Sequence, residues 1–192
     1  MKFLIFVIFE RSMNMNNIIS TNRQDAGSHF IVSNNCNYLE GFEKPSWEEI
    51  ARPNQLMPKG DWRIWMILAG RGFGKTRAAA EGIRQLVASG KYKRIALIAN
   101  TIQEARQVMV EGESGLLSIS DPDEGLMFMS TRRLLTWKNG AIATLYGAEN
   151  YEQLRGPQFD AAWVDEFAKF MYPRETFEQL SFSLRLGQQT KM

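Results

Sequence analysis

An α/β fold with a parallel central sheet and flanking helices is predicted by three features of the 192-residue chain. The apolar run "RIWMILA" (Arg63 to Ala69) leads into a glycine-rich loop, which opens onto the Ala-rich stretch "KTRAAAEGIRQLVAS". A second apolar run, "RIALIAN" (Arg94 to Asn100), follows one helix length later and completes a βαβ unit. A third, "DAAWVDE" (Asp160 to Glu166), ends in two carboxylates. Runs without polar alternation are expected of strands covered on both faces, and this is the expectation for Arg63 to Ala69.

The remaining elements follow from local chemistry. Ser46 and Glu49 form a capping box at the start of a short helix, and Pro53 and Pro58 then force an extended connection. After the glycine loop, apolar residues at Ala79, Ile83, Leu86 and Val87 make a helical stripe, and Gly90 stands where the helix should stop. Ile102 to Val110 reads as a further helix, "DPDEG" as a turn, and Asn139-Gly140 between apolar runs as a hairpin. Pro173 to Leu184 is the last helix. Residues 1–41 read as a flexible or irregular lead, because 12–41 are rich in Asn and Ser with little periodicity, and 42–192 as one partial domain. Within the lead, Phe3 to Phe9 has the apolar content of a strand or a sticky tail, with a wrongly assigned start codon as the third reading. It falls far short of the ~20 residues that span a bilayer, and Glu10 and Arg11 stand where a signal peptide needs small residues.

Composition excludes several classes. A formal charge of +2 is too small to attract nucleic acid in bulk, so any DNA contact must be a local patch. Arg132, Arg133 and Lys138 form one basic group around the hairpin, although a solvated face is the ordinary role of such charges. His29 and Cys36 are single, which removes intramolecular disulfides and Cys/His metal clusters and favours an intracellular compartment.

Strand, glycine loop, Lys-Thr and helix form the layout that surrounds an anion with backbone amides. Gly70, Gly72 and Gly74 let the chain approach phosphate, with Arg71 and Phe73 between them. Lys75 reaches the β- and γ-phosphates, and the Thr76 hydroxyl faces Mg²⁺. Ala69 replaces the first glycine of the strict pattern, a mild departure. A dinucleotide fingerprint needs glycine at 75, where lysine stands. ATP and Mg²⁺ are therefore the expected ligands. Asp165 and Glu166, delivered together at a strand's C-terminal edge, are suited to holding Mg²⁺ and to polarising the attacking water, respectively. Arg71 and Arg155 are candidates to stabilise charge on the transferred phosphoryl group, with a surface ion pair as the alternative for each.

Taken together, "RPNQLMPKGDWRIWMILAGRGFGKTRAAAE" and "LYGAENYEQLRGPQFDAAWVDEFAKF" resemble the ATPase half of the tailed-phage terminase large subunit, over about Trp47 to Gly187. The resemblance implies a P-loop NTPase of the RecA-like (ASCE) group, an ATP-hydrolysing motor that drives double-stranded DNA into the prohead. It implies a portal protein, a small terminase subunit and a homo-oligomeric ring as partners, the host cytoplasm as location, and no membrane. By the same resemblance Gln55 reads adenine, Arg71, Lys75 and Thr76 bind phosphates and metal, Asp165 and Glu166 are the metal-holding and catalytic acids, and Arg155 reaches a neighbouring subunit's ATP. The family's Thr-rich coupling strand and nuclease domain have no counterpart before Met192, so DNA cleavage is not expected and the sheet is expected to be incomplete at the C-terminus. Two other readings stay open: a truncated nucleotide-binding relic without turnover, and another RecA-like DNA-dependent ATPase.

Overall fold

The structure is a computed structural model, and it describes residues 3–9, 45–60 and 62–186. His29, Cys36 and the Asn/Ser-rich lead lie outside the described residues. Among the described residues seven strands form one sheet: β1 (Phe3–Phe9), β2 (Ile64–Ala69), β3 (Arg94–Ala99), β4 (Met127–Met129), β5 (Leu134–Thr136), β6 (Ile142–Gly147) and β7 (Ala161–Asp165). Their spatial order is β2-β1-β7-β3-β6-β5-β4. The first five run parallel, and β6-β5-β4 is an antiparallel extension. The helices are α1 (Trp47–Ile50), α2 (Lys75–Ala88), α3 (Ile102–Glu104), which runs into a π-helical turn at Ala105–Val110, α4 (Leu116–Ile119) and α5 (Pro173–Ser183). None of the described helices is long and apolar enough to cross a membrane.

The chain divides into two units, residues 11–51 and the rest. In the first unit α1 has the expected capping box, with the Ser46 amide donating to Glu49 Oε2 at 2.7 Å. In the second, α2 buries Ala79, Ile83, Leu86 and Val87, the stripe expected from the sequence, and Gly90 follows it at φ +72°. The β2-α2-β3 crossover passes over two strands, β1 and β7, before it re-enters the sheet.

Register assigns the two faces. Trp65, Ile67, Ile95, Leu97, Trp163 and Leu145 share the face under α2 and the π turn, all of them buried. The opposite face carries Ala96, Ile98, Ala162 and Val164, packed with Leu154, Phe159, Phe170, Leu180 and Leu184 beneath α5. Asp160 fixes the entry to both central strands, because its Oδ2 accepts the amides of Lys93 (2.8 Å) and Arg94 (2.9 Å). Arg84, on α2, binds Glu81 Oε2 (2.9 Å), Asp121 Oδ2 (2.7 Å) and Glu124, tying the helix to the 121–125 turn. Its pKa rises: burial works against the charge, and Glu124, Glu81 and Asp121 outweigh it.

One expectation needs correction. The strand before the glycine loop is covered on one face only: Ile64, Met66 and Leu68 are 47%, 55% and 56% exposed, while Trp65 and Ile67 are buried. The reason is position, since β2 closes one side of the sheet among the described residues and α5 lies over the strands beyond it. Phe3–Phe9 forms an interior strand, one of the readings that its apolar run leaves open. The hairpin is where Asn139-Gly140 predicts it, with Gly140 at φ +82° and Thr136 paired to Ile142. Strand β4, three residues long, carries no signal that separates it from a loop.

One-sided coverage of β2 has a measurable consequence. Ile67→Ala should cost about 2–5 kcal/mol in urea unfolding, the usual cost of emptying a core site. Met66→Ser, one residue away on the open face, should change stability by about 0.5 kcal/mol or less. Equal large losses at both positions would mean that both faces are buried.

Candidate functional site

The glycine loop joins β2 to α2 and presents backbone rather than side chains. Gly72 and Gly74 have φ of +75° and +81°, and Gly74 is the N-cap of α2. No side chain caps this 14-residue helix and no acid lies in its first turn, so no side chain of that turn offsets the positive end of its dipole. Gly74 is constrained twice, because a Cβ there would sit 2.7 Å from Gln55 Nε2. That amide donates to the Phe73 carbonyl at 2.7 Å, and Gln55 Oε1 accepts from the Arg52 backbone at 3.0 Å. Gln55 is thus buried with both ends of its amide on protein, bracing the loop from behind. Lys75 Nζ donates to the carbonyls of Ala69 (2.9 Å) and Gly70 (2.8 Å), which holds the ammonium inside the curve of the loop. Thr76 is half-buried in the first turn of α2, and Arg71 is exposed.

The acids lie where β7 ends. Asp165 is 6% exposed, and its Oδ1 has no hydrogen-bond partner. Burial pushes its carboxyl up to about 7, with Glu166 adding to the rise, Lys75 and Lys169 opposing it, and Glu104 adding a little. Strands β2 and β7 run in the same direction, so the glycine loop and the acids both leave the C-terminal edge of the sheet. Glu166 is in the left-handed region at φ +49°, a conformation costing on the order of 1–2 kcal/mol outside glycine. Its carboxylate pairs with Lys169.

The other candidates stand apart from this centre. Arg155 is exposed at the end of the 3-10 segment Ala148–Leu154, with Nη1 4.0 Å from Glu152 Oε1. Arg132, Arg133 and Lys138 are exposed around the hairpin. Two residues escaped the sequence reading. Arg52 donates through Nη2 to the Phe73 carbonyl at 2.6 Å and lies 5.0 Å above the Phe73 ring, so it clamps the loop together with Gln55. Its place three residues before Gln55 was the available signal. Lys169 sits one helical turn after Glu166, a spacing that a search for ion pairs would have found. Among the described residues no group of three or more His, Cys, Asp and Glu could hold a metal by itself, so any cation here would need other ligands as well.

The structure is thus an α/β domain with a largely parallel sheet, in which one strand leads into a glycine loop at a helix N-terminus and another ends in a buried carboxylate. A family model described as terminase large subunit, T4likevirus-type, N-terminal, matches residues 66–192. The chain belongs to this family, whose role is phage DNA packaging. No curated protein and no solved structure matched the chain.

The Asp165 environment sets a pH dependence. The folded carboxyl titrates near 7 against an ordinary 3.8, so the folded state holds the extra proton between those values. Stability therefore falls as pH rises through that window, and above it burial penalises a charge that the unfolded chain carries freely. Asp165→Asn should raise the melting temperature of the metal-free protein by several degrees at about pH 8 and change it little near about pH 4. A lower melting temperature for the variant at the higher pH would show that Asp165 stabilises the fold.

Proposed function

We propose that this domain binds ATP with Mg²⁺ and hydrolyses it to drive double-stranded DNA during packaging, on a P-loop NTPase fold. The observation that carries the reading is the unpartnered, buried Oδ1 of Asp165 opposite Lys75 and the uncapped start of α2. A buried carboxylate oxygen without a donor is costly unless a cation meets it, and this one faces an anion-binding loop. Those donors suit a hard cation shared with phosphate oxygens: Thr76 and Asp165 would hold it, with phosphates and water completing its shell. Magnesium, if bound there, would supply charge neutralisation for the phosphates.

The protein's own residues account for the rest. The amides of Gly72 to Thr76 bind phosphate oxygens, and Lys75 exchanges two loop carbonyls for the β- and γ-phosphates. Glu166 accepts a proton from water as that water's oxygen bonds to the γ-phosphorus. The bond from that phosphorus to the bridging oxygen breaks, and ADP leaves. Arg71 is the nearer source of charge stabilisation. Arg155, exposed and only loosely paired, is suited to reaching another subunit. Gln55 contributes to adenine selection if it trades its contact with Phe73 for the base. The portal, the small terminase subunit, the homo-oligomeric ring and the host cytoplasm come from the family resemblance.

One observation favours nucleotide binding without turnover: the Glu166 carboxylate is engaged by Lys169 and would have to leave that ion pair to meet a water. Phosphate release from ATP distinguishes the two. Lys75→Ala should abolish both binding and hydrolysis, whereas Glu166→Gln should keep binding and lower turnover by about 10²-fold or more. Equal phosphate release from wild type and both variants would defeat the motor reading, and tight binding with no Glu166-dependent turnover would favour the relic.

A further inference from the structure

Strand β2 carries the glycine loop and β7 carries the acids, yet the two are not hydrogen-bonded to each other. Between them lies β1, paired in parallel with β2 from Leu4↔Ile64 to Phe9↔Ala69 and with β7 from Phe3↔Ala161 to Val7↔Asp165. We propose that β1 is a spacer strand that positions the phosphate loop relative to the acid pair, so that the N-terminal residues of the chain are part of the nucleotide site's framework. This rests on the reading of that site as a Mg²⁺-nucleotide site.

The geometry is quantitative. Neighbouring strands lie about 4.8 Å apart, so β1 sets β2 and β7 roughly 9–10 Å apart. The shared register places Val7 level with both Ile67 and Asp165, two residues before the loop departs at Ala69. An ion bound at about 2.1 Å to each of two oxygens requires those oxygens within about 4 Å of one another. Loss of β1 would let β2 shift by one strand width, about 4.8 Å, more than that whole bridge. Thr76 and Asp165 would then no longer share an ion, although the loop amides and Lys75 would still bind phosphate. "FLIFVIF" has the unbroken apolar composition of an interior parallel strand.

Amide hydrogen exchange of the whole chain, read residue by residue by NMR, tests the strand directly. Successive residues of a strand point their amides to opposite sides, so an interior strand protects consecutive amides. The amides of residues 4–8 should be protected to a degree similar to those of Trp163 and Val164. Protection at alternate residues only, or at none, overturns the proposal. Phe6→Pro then tests the function, because proline removes one ladder hydrogen bond from a strand paired on both sides. ATP affinity with Mg²⁺ divided by affinity with a chelator should exceed one in the wild type and fall to about one in Phe6→Pro, with Lys75-dependent binding retained. An unchanged ratio overturns the spacer role. If wild-type binding of ATP does not depend on Lys75, the nucleotide reading fails instead, and hydrogen exchange still decides whether β1 is an interior strand. If Phe6→Pro does not fold, the wild-type exchange pattern decides.

Discussion

The site is organised around one uncompensated charge. Asp165 closes a strand whose five residues are all buried, and one of its oxygens has no donor. Burying a carboxylate so incompletely satisfied costs the fold free energy, and the shift of its pKa toward neutrality measures that cost. Its surroundings follow from the same constraint. Lys75, at the start of α2, remains tied to its own loop's carbonyls, and Glu166 takes a left-handed conformation beside the first carboxylate. Strain and unpaired polarity of this kind persist where the surrounding packing over-determines them.

That packing is uneven. The face beneath α2 is closed, with Ala78, Ala79, Ala80 and Ile83 entirely buried, and Arg84 anchors the helix to the 121–125 turn through the two carboxylates of Asp121 and Glu124. A helix held this firmly keeps its N-terminus, and so the loop, in a fixed place. Behind the loop, Arg52 and Gln55 grip the same carbonyl of Phe73. The loop is therefore braced on both sides, whereas the outer strand that delivers it leaves Ile64, Met66 and Leu68 exposed.

Much of this was legible in the sequence because each signal was local. The capping box at Ser46, the stripe on α2, the Asn139-Gly140 turn and the apolar run ending in Asp165 each depend on residues within a few positions of one another. The coverage of β2 and the place of β1 were not legible, because an apolar run states that a strand is buried and not which strands stand beside it. "RIWMILA" and "RIALIAN" look alike, yet one closes the sheet and the other is buried on both faces at its centre. In the candidate site, the glycines, Lys75, Thr76 and the acid pair are what pattern alone singles out. The clamp from Arg52 was missed because it acts through backbone 21 residues away, and the pairing of Lys169 with Glu166 because a surface lysine beside an acid is ordinary.

The most direct measurement is a crystal structure of the chain with Mg²⁺ and a non-hydrolysable ATP analogue. The account predicts phosphates against the amides of Gly72 to Thr76, Lys75 Nζ moved from the Ala69 and Gly70 carbonyls onto phosphate, and the metal between Thr76 and the formerly unpartnered oxygen of Asp165. A nucleotide bound elsewhere, with Lys75 still on its carbonyls and Asp165 without a cation, would contradict it.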